Sequence, residues 1–149
     1  MNIPKRLQPE INNAYEEEYE VPLIGFALPD GYVHVTPRGS TQVYDDEHFS
    51  FWIRGRGTTD QLLKDGVKLA VFFRKLKLRG EGVLPIGGIA RFFGTISVHK
   101  SGPVYEKVWE RLIPGEKKWD PDKKGFAALL NVERAEDLFG QPLKLEYVF

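Results

Sequence analysis

Short β-forming segments recur along most of this chain, and nearly every one is closed by a glycine or proline turn. Val21 to Leu28 is an apolar run that reads as a buried strand. Pro29-Asp30-Gly31 turns it back, because proline presets φ and glycine accepts positive φ. Tyr32 to Thr36 returns as a strand, with Val33 and Val35 on one face and Tyr32, His34 and Thr36 on the other. Pro37 and Gly39 interrupt pairing, which predicts a bulge or an edge. Ser40 to Tyr44 continues as strand, Asp45-Asp46-Glu47 turns, and His48 to Ile53 follows, giving a three-strand meander. Further strands are expected at Val67 to Phe73, at Arg74 to Arg79 where basic and apolar residues alternate, at Ile89 to Val98 with a bulge or close approach at Gly94, and at Phe126 to Val132.

Helices are expected at Gln8 to Tyr15, where Leu7, Ile11 and Tyr15 make one weak apolar face, and after Ser101-Gly102-Pro103. The second has Val104, Val108, Trp109 and Leu112 as its apolar stripe and Pro114-Gly115 as its stop. Ala135 to Leu138 reads as a helical turn, and Pro142 to Phe149 as an apolar tail that adds a strand or covers a neighbour. Six or seven mostly sequential strands with a few inserted helices predict a mainly β (α+β) chain, an antiparallel β-barrel with capping helices.

The stretch from Ser50 to Gly66 stands out within that pattern. Phe51-Trp52-Ile53 is strand-forming, and Arg54-Gly55-Arg56-Gly57 ends the strand in a basic, glycine-rich loop. Thr58 then opens a helix over 58–65, with Gln61 at the spacing of a capping box and Gly66 as its stop. A helix start offers unpaired N–H groups to an anion, and two arginines with two hydroxyls in one turn suit a phosphate. The competing reading is a tight turn whose arginines are solvated.

The 149 residues fit one domain, 1–149, with residues 1 to 20 as a polar N-terminal extension. Lys+Arg and Asp+Glu are 21 each, so no overall electrostatic footprint marks a nucleic-acid partner and any basic site is local. The absence of cysteine excludes disulfides, thiolate metal sites and a cysteine nucleophile. Met1 to Arg6 is not followed by an apolar core, and no apolar run is long enough to span a bilayer. The expectation is therefore a cytoplasmic protein without a membrane partner. Aromatics at 13%, ten of them phenylalanine, suit a β-rich core or the pocket of a flat ligand.

Few residues point to protein-borne catalysis. His34, His48 and His99 lack ligand spacing, so no metal is expected, and no Gly-x-Ser-x-Gly elbow is present. Asp45, Asp46 and Glu47 read as a turn, and no catalytic residue is named. Trp52 and Trp109 read as core, whereas Trp119 sits in a charged loop, where packing at an interface is favoured over ligand contact. An enzyme of this kind takes its reactivity from a cofactor.

The order of these motifs resembles the pyridoxamine 5'-phosphate oxidase-like family, the FMN-binding split β-barrels. Asp30-Gly31-Tyr32-Val33-His34-Val35-Thr36-Pro37 is similar to the family's DG-x-P-H-V-S-P strand, and Arg91-Phe92-Phe93-Gly94-Thr95-Ile96-Ser97-Val98 to its R-V-x-G-x-A-x-V strand. Between them lie the strand, loop and helix of 50 to 66 and then Val67-Lys68-Leu69-Ala70-Val71. The helix at 103 to 112 and the strand at 126 to 132 also fall in the family's order, so the likeness covers residues 20 to 135.

The resemblance implies a six- to seven-stranded antiparallel split β-barrel and a homodimer with two FMN sites at the subunit interface. It places the phosphate on Arg54, Arg56, Thr58 and Thr59. It lays the flavin ring along Val35, Thr36, Pro37 and Arg38, with Ser40 nearby, and brings Arg91 from the other subunit. Many members carry Ser-Arg-Lys in the loop; here Arg56, Gly57 and Thr58 match it, and the lysine is missing. The implied activity is that of an oxidoreductase using FMN to move hydride or electrons to or from an unidentified small molecule. The alternatives are a deazaflavin-dependent reductase, a non-catalytic flavin- or haem-binding module, and a nucleic-acid-binding barrel, which the balanced charge disfavours. A true pyridoxamine phosphate oxidase is disfavoured too, since Gln141 to Phe149 offers one basic residue, Lys144.

Overall fold

A computed structural model describes residues 3–18, 20–57, 60–84 and 86–144. Seven strands form one sheet: β1 (Leu23–Ala27), β2 (Val33–Pro37), β3 (Gln42–Asp45), β4 (His48–Ile53), β5 (Lys68–Arg74), β6 (Ile89–His99) and β7 (Phe126–Glu136). Every pairing is antiparallel, in the order β2-β1-β5-β6-β7-β4-β3. The two end strands are consecutive in the chain. A flat sheet of seven would set them about 29 Å apart. The link from Pro37 to Gln42 reaches at most about 18 Å. The sheet must therefore curl until its ends approach, which is the geometry of a split barrel. The expected meander is corrected by this order: β2 pairs with β1 and β3 with β4, but β2 and β3 do not pair with each other.

The inner face carries Phe49, Phe51, Ile53, Val71, Phe73, Phe92 and Leu130, all buried in the main core. The opposite face of β4 and β7 is covered by α4 (Pro103–Arg111), where Val108 and Leu112 pack with Trp52, Ala127 and Leu129. Burial on both sides explains why β4 is apolar without strict alternation. The kink at Gly94 is present as a register shift between Phe93 and Gly94. A Cβ at Gly94 would collide with the Asn131 carbonyl, so β7 approaches too closely for any side chain there.

Four local expectations are corrected. Gln8 to Tyr15 is two helices, α1 (Gln8–Asn12) and α2 (Ala14–Glu18), broken at Asn13. Arg74 to Arg79 is not a continuing strand: β5 ends at Arg74 and α3 (Lys77–Gly80) follows, burying Leu78. α4 ends before Pro114 as expected, but Pro114 does not lead into a loop: it opens α5 (Pro114–Lys117), the position a missing N–H tolerates best. Ala135 and Glu136 continue β7 opposite Phe92 and Arg91 instead of turning helical. Of the tail, Leu143 is buried and its N–H donates to the Ala135 carbonyl (3.0 Å); positions 145–149 lie outside the described residues.

The N-terminal segment is part of the body. Ile3, Leu7, Ile11 and Ala14 are buried. Asn12 Oδ1 accepts the Val43 N–H at 2.7 Å, occupying the outer edge of β3. The buried Lys75 ammonium donates to Glu10 at 2.6 Å and Glu17 at 3.4 Å, tying both N-terminal helices to the end of β5.

Replacing Gly94 by Ala is expected to cost about 1–3 kcal/mol through overpacking against β7. In thermal unfolding followed by circular dichroism this appears as a fall in Tm of about 2–4 °C per kcal/mol for a chain of this size. An unchanged Tm would contradict the close approach.

Candidate functional site

β4 runs out at Ile53 into the loop Arg54-Gly55-Arg56-Gly57, and three other segments converge on it. The first is the turn between β2 and β3. Arg38 reaches across to Asp60 (Nη2 to Oδ1, 2.9 Å), with both side chains largely buried. Asp60 Oδ2 also accepts the Gly55 N–H at 3.2 Å. One carboxylate thus joins the β2–β3 turn to the basic loop. Arg38 Nε is buried and has no acceptor among the described residues. Ser40 is buried as well; its hydroxyl accepts the Trp52 N–H (3.0 Å) and donates to the Trp52 carbonyl (3.2 Å).

The second segment is the short turn after the loop. The expected α-helix over 58–65 is corrected: among its described residues only Asp60–Leu62 is helical, as one 3₁₀ turn. Asp60 explains the tightening, because its side chain is drawn back toward Arg38 and Gly55. Thr58 and Thr59 lie outside the described residues. Beside this turn opens a cavity of about 580 Å³, with Leu63, Val98 and Phe126 as apolar walls and Lys64 and Lys100 as cations.

The third segment is the loop after α5. Asp120 is buried and accepts from Trp52 Nε1 (2.9 Å), the Lys124 N–H (3.0 Å) and the Gly125 N–H (2.8 Å). Burial pushes this carboxyl up, but the three hydrogen bonds and the charge of Arg56 outweigh it and hold the group below the usual carboxylate range. Gly125 is required here, since a Cβ would lie 2.5 Å from the Ile53 carbonyl oxygen and 2.7 Å from Trp52 Nε1. The neighbouring Trp119 is 51% exposed, and the Arg54 guanidinium lies 5.9 Å from its ring centroid. Neither Arg54 nor Arg56 has a carboxylate within ion-pair distance among the described residues.

The remaining expected residues sit elsewhere. Val35 and Arg91 line one apolar groove of about 470 Å³ on the outer face of β1, β2 and β5, together with Gly25, Val33 and Phe72. Val33 and Val35 are 70% and 60% exposed. Arg91 is fixed by donating to the carbonyls of Asp137 (2.9 Å) and Leu138 (3.2 Å). Thr36 and Pro37 form the end of β2 between groove and loop. Of the ten candidates, Arg38, Ser40, Arg54 and Arg56 form a loop cluster, Val35 and Arg91 a groove pair, Thr36 and Pro37 lie between them, and Thr58 and Thr59 lie outside the described residues. The histidines are used locally: His48 Nδ1 lies 2.7 Å from Asp45, His99 Nε2 2.8 Å from the Ser97 hydroxyl, and His34 stacks near Phe26.

Two important groups were not singled out from the sequence, Asp60 and Asp120. Asp60 carries a weak local signal as an acid at the start of an expected helix. Asp120 carries none, since its partner Trp52 is 68 positions away.

The fold and its basic loop place the chain among split β-barrels. No protein-family model and no curated protein matches it. Solved structures do. HupZ of Group A Streptococcus is 22% identical, with a TM-score of 0.63 over 95% of this chain and 98% of its own. A Clostridium acetobutylicum protein of the pyridoxinephosphate oxidase family, related to general stress protein 26, is 16% identical, with a TM-score of 0.58 over 89% of this chain and 88% of its own. The general stress FMN/FAD binding protein of Xanthomonas citri is 16% identical, with a TM-score of 0.56 over 97% and 96%. At these identities the likeness is one of fold, and the expected pyridoxamine 5'-phosphate oxidase-like architecture is met at that level. Among the described residues no helix is long and apolar enough to cross a membrane.

Asp120→Asn removes the anionic acceptor of three donors and is expected to cost about 1–3 kcal/mol. Because the native carboxyl titrates below its unfolded value, the wild-type advantage is full at neutral pH and fades as pH falls below about 4. Urea unfolding of both proteins at pH 7 and pH 3 checks this; a difference independent of pH would contradict the role of the charge.

Proposed function

We propose that this chain is an FMN-binding flavoprotein that acts as a homodimer and serves as an oxidoreductase on a small molecule. The carrying observation is the loop cluster: among the described residues Arg54 and Arg56 have no carboxylate at ion-pair distance, and beside them Arg38 has a buried N–H that lacks an acceptor. A phosphate dianion suits such a set, because charge-assisted hydrogen bonds from several guanidiniums are strong and directional. Asp60 limits the fit, since it already uses one edge of Arg38; the phosphate would rely on the rest of that guanidinium and on the two loop arginines. The missing family lysine is thus made good by arginines, not by a lysine at a shifted position.

The flavin ring would lie along the end of β2, at Thr36 to Arg38. The groove of Val35 and Arg91 would be offered by a second copy, which would also cover the exposed Val33 and Val35. That the expected residues fall into two separated clusters supports a site completed between copies. When bound, FMN supplies the hydride or electron transfer. The protein's own residues hold its phosphate, orient the ring and exclude water.

The visible absorption spectrum of the purified protein, before and after added FMN, tests the cofactor; a protein that stays colourless and ignores FMN would overturn the reading. Arg54→Ala and Arg56→Ala are each expected to weaken FMN binding by at least about tenfold, while riboflavin binding changes little. Light scattering at micromolar concentration is expected to give a dimer, and a monomer would remove the interface site.

A further inference from the structure

We propose that Trp119 is a positioning residue for the anion loop: its ring holds the Arg54 guanidinium in place for a phosphoryl group. The proposal rests on the phosphate reading of the loop and names a residue from outside it.

The observations are independent of that reading. Trp119 is a large aromatic left 51% exposed, yet its backbone is firmly placed. Its N–H donates to the Glu116 carbonyl (3.2 Å), and the next residue is Asp120, the buried acceptor of three hydrogen bonds. These bonds fix the backbone from which the indole projects beside Arg54. Two cations lie against it, Arg54 at 5.9 Å and Lys118 at 5.6 Å from the ring centroid. Arg54 has no carboxylate at ion-pair distance among the described residues, and the Trp119 ring is the group its guanidinium faces. A cation over an aromatic face keeps its outward N–H groups free, whereas a carboxylate partner would consume them. Stacking therefore orders Arg54 without neutralising it. The charge of Arg56 in turn acts on the neighbouring Asp120 carboxylate.

The test compares FMN with riboflavin by quenching of flavin fluorescence, because the ratio of their dissociation constants isolates the phosphate. Trp119→Leu is expected to raise the FMN-to-riboflavin ratio of dissociation constants by about three- to fivefold, the size of an exposed cation–π contact. Trp119→Phe keeps a ring and is expected to avoid most of that rise. In an Arg54→Ala background Trp119→Leu should have no further effect on the ratio, as a coupled pair requires. A purely structural role would weaken both flavins alike and leave the ratio unmoved, which would overturn the proposal. A wild-type protein that binds riboflavin as well as FMN would overturn the phosphate reading itself, and this proposal with it. The two failures are separated because only the second appears in the unmodified chain. As a check without flavin, the Arg54 Nε–H proton is expected upfield in the wild type from the ring current of Trp119. An Arg54 resonance unchanged by Trp119→Leu would likewise overturn the proposal.

Discussion

Trp52 is held at both ends, and the loop that follows it inherits that rigidity. The Ser40 hydroxyl takes its backbone N–H and returns a bond to its carbonyl. Asp120 takes its indole N–H. The ring itself is packed against Tyr105 and Trp109 of α4. Two residues later the chain leaves the sheet as Arg54. A flexible loop of glycines and arginines would bind an anion poorly, because ordering it costs conformational entropy at the moment of binding. Here the strand end from which the loop departs is fixed in advance. The strand end is clamped from the β2–β3 turn on one side and from the loop after α5 on the other.

The same geometry reconciles a neutral protein with a local cationic site. The 21 basic and 21 acidic residues cancel only in sum. Around the loop, the carboxylates that lie close are internally engaged: Asp60 by Arg38 and Gly55, Asp120 by three N–H donors. Arg54 and Lys118 lie near Trp119 and Lys117 near Trp109, whereas Lys123, also near Trp109, is paired with Glu106 at 2.7 Å. Arg54 and Arg56 are thus left without a carboxylate at ion-pair distance among the described residues, a local arrangement that the net charge conceals.

Much of the sheet was legible because its signals are short-range. The Pro29-Asp30-Gly31 turn, the alternation in Tyr32 to Thr36, the break at Gly94 and the proline opening α4 all act within a few residues. Arg74 to Arg79 misled for a definite reason. Alternation over six positions matches a strand, but Lys75 is drawn under Glu10 and Glu17 and its N–H donates to the Gly88 carbonyl, which ends the strand and lets Leu78 tuck inward on a helical turn. The 58–65 segment misled similarly, since Asp60 answers to Arg38, 22 residues away. The chain also gives no sign that β2 and β3 are the two ends of the sheet; that follows from β5, β6 and β7 inserting between their partners. The basic loop was visible as a motif, whereas its supports, Asp60 and Asp120, come from segments that only the fold brings together.

The two ends of the sheet are not equivalent. On β3 the Val43 N–H is occupied by the Asn12 side chain and Gln42 donates to the Asn12 carbonyl, so α1 seals that edge. Among the described residues β2 has no such cover, and its outward valines are bare. A sheet with two open edges can recruit strand after strand without limit, the route to fibrils. A sheet with one open edge has a single valence. If a copy docks along β2, the interface is between like surfaces and the assembly closes at two by symmetry. By covering β3 the N-terminal helix denies that edge to any further strand, a role separate from its contribution to the core.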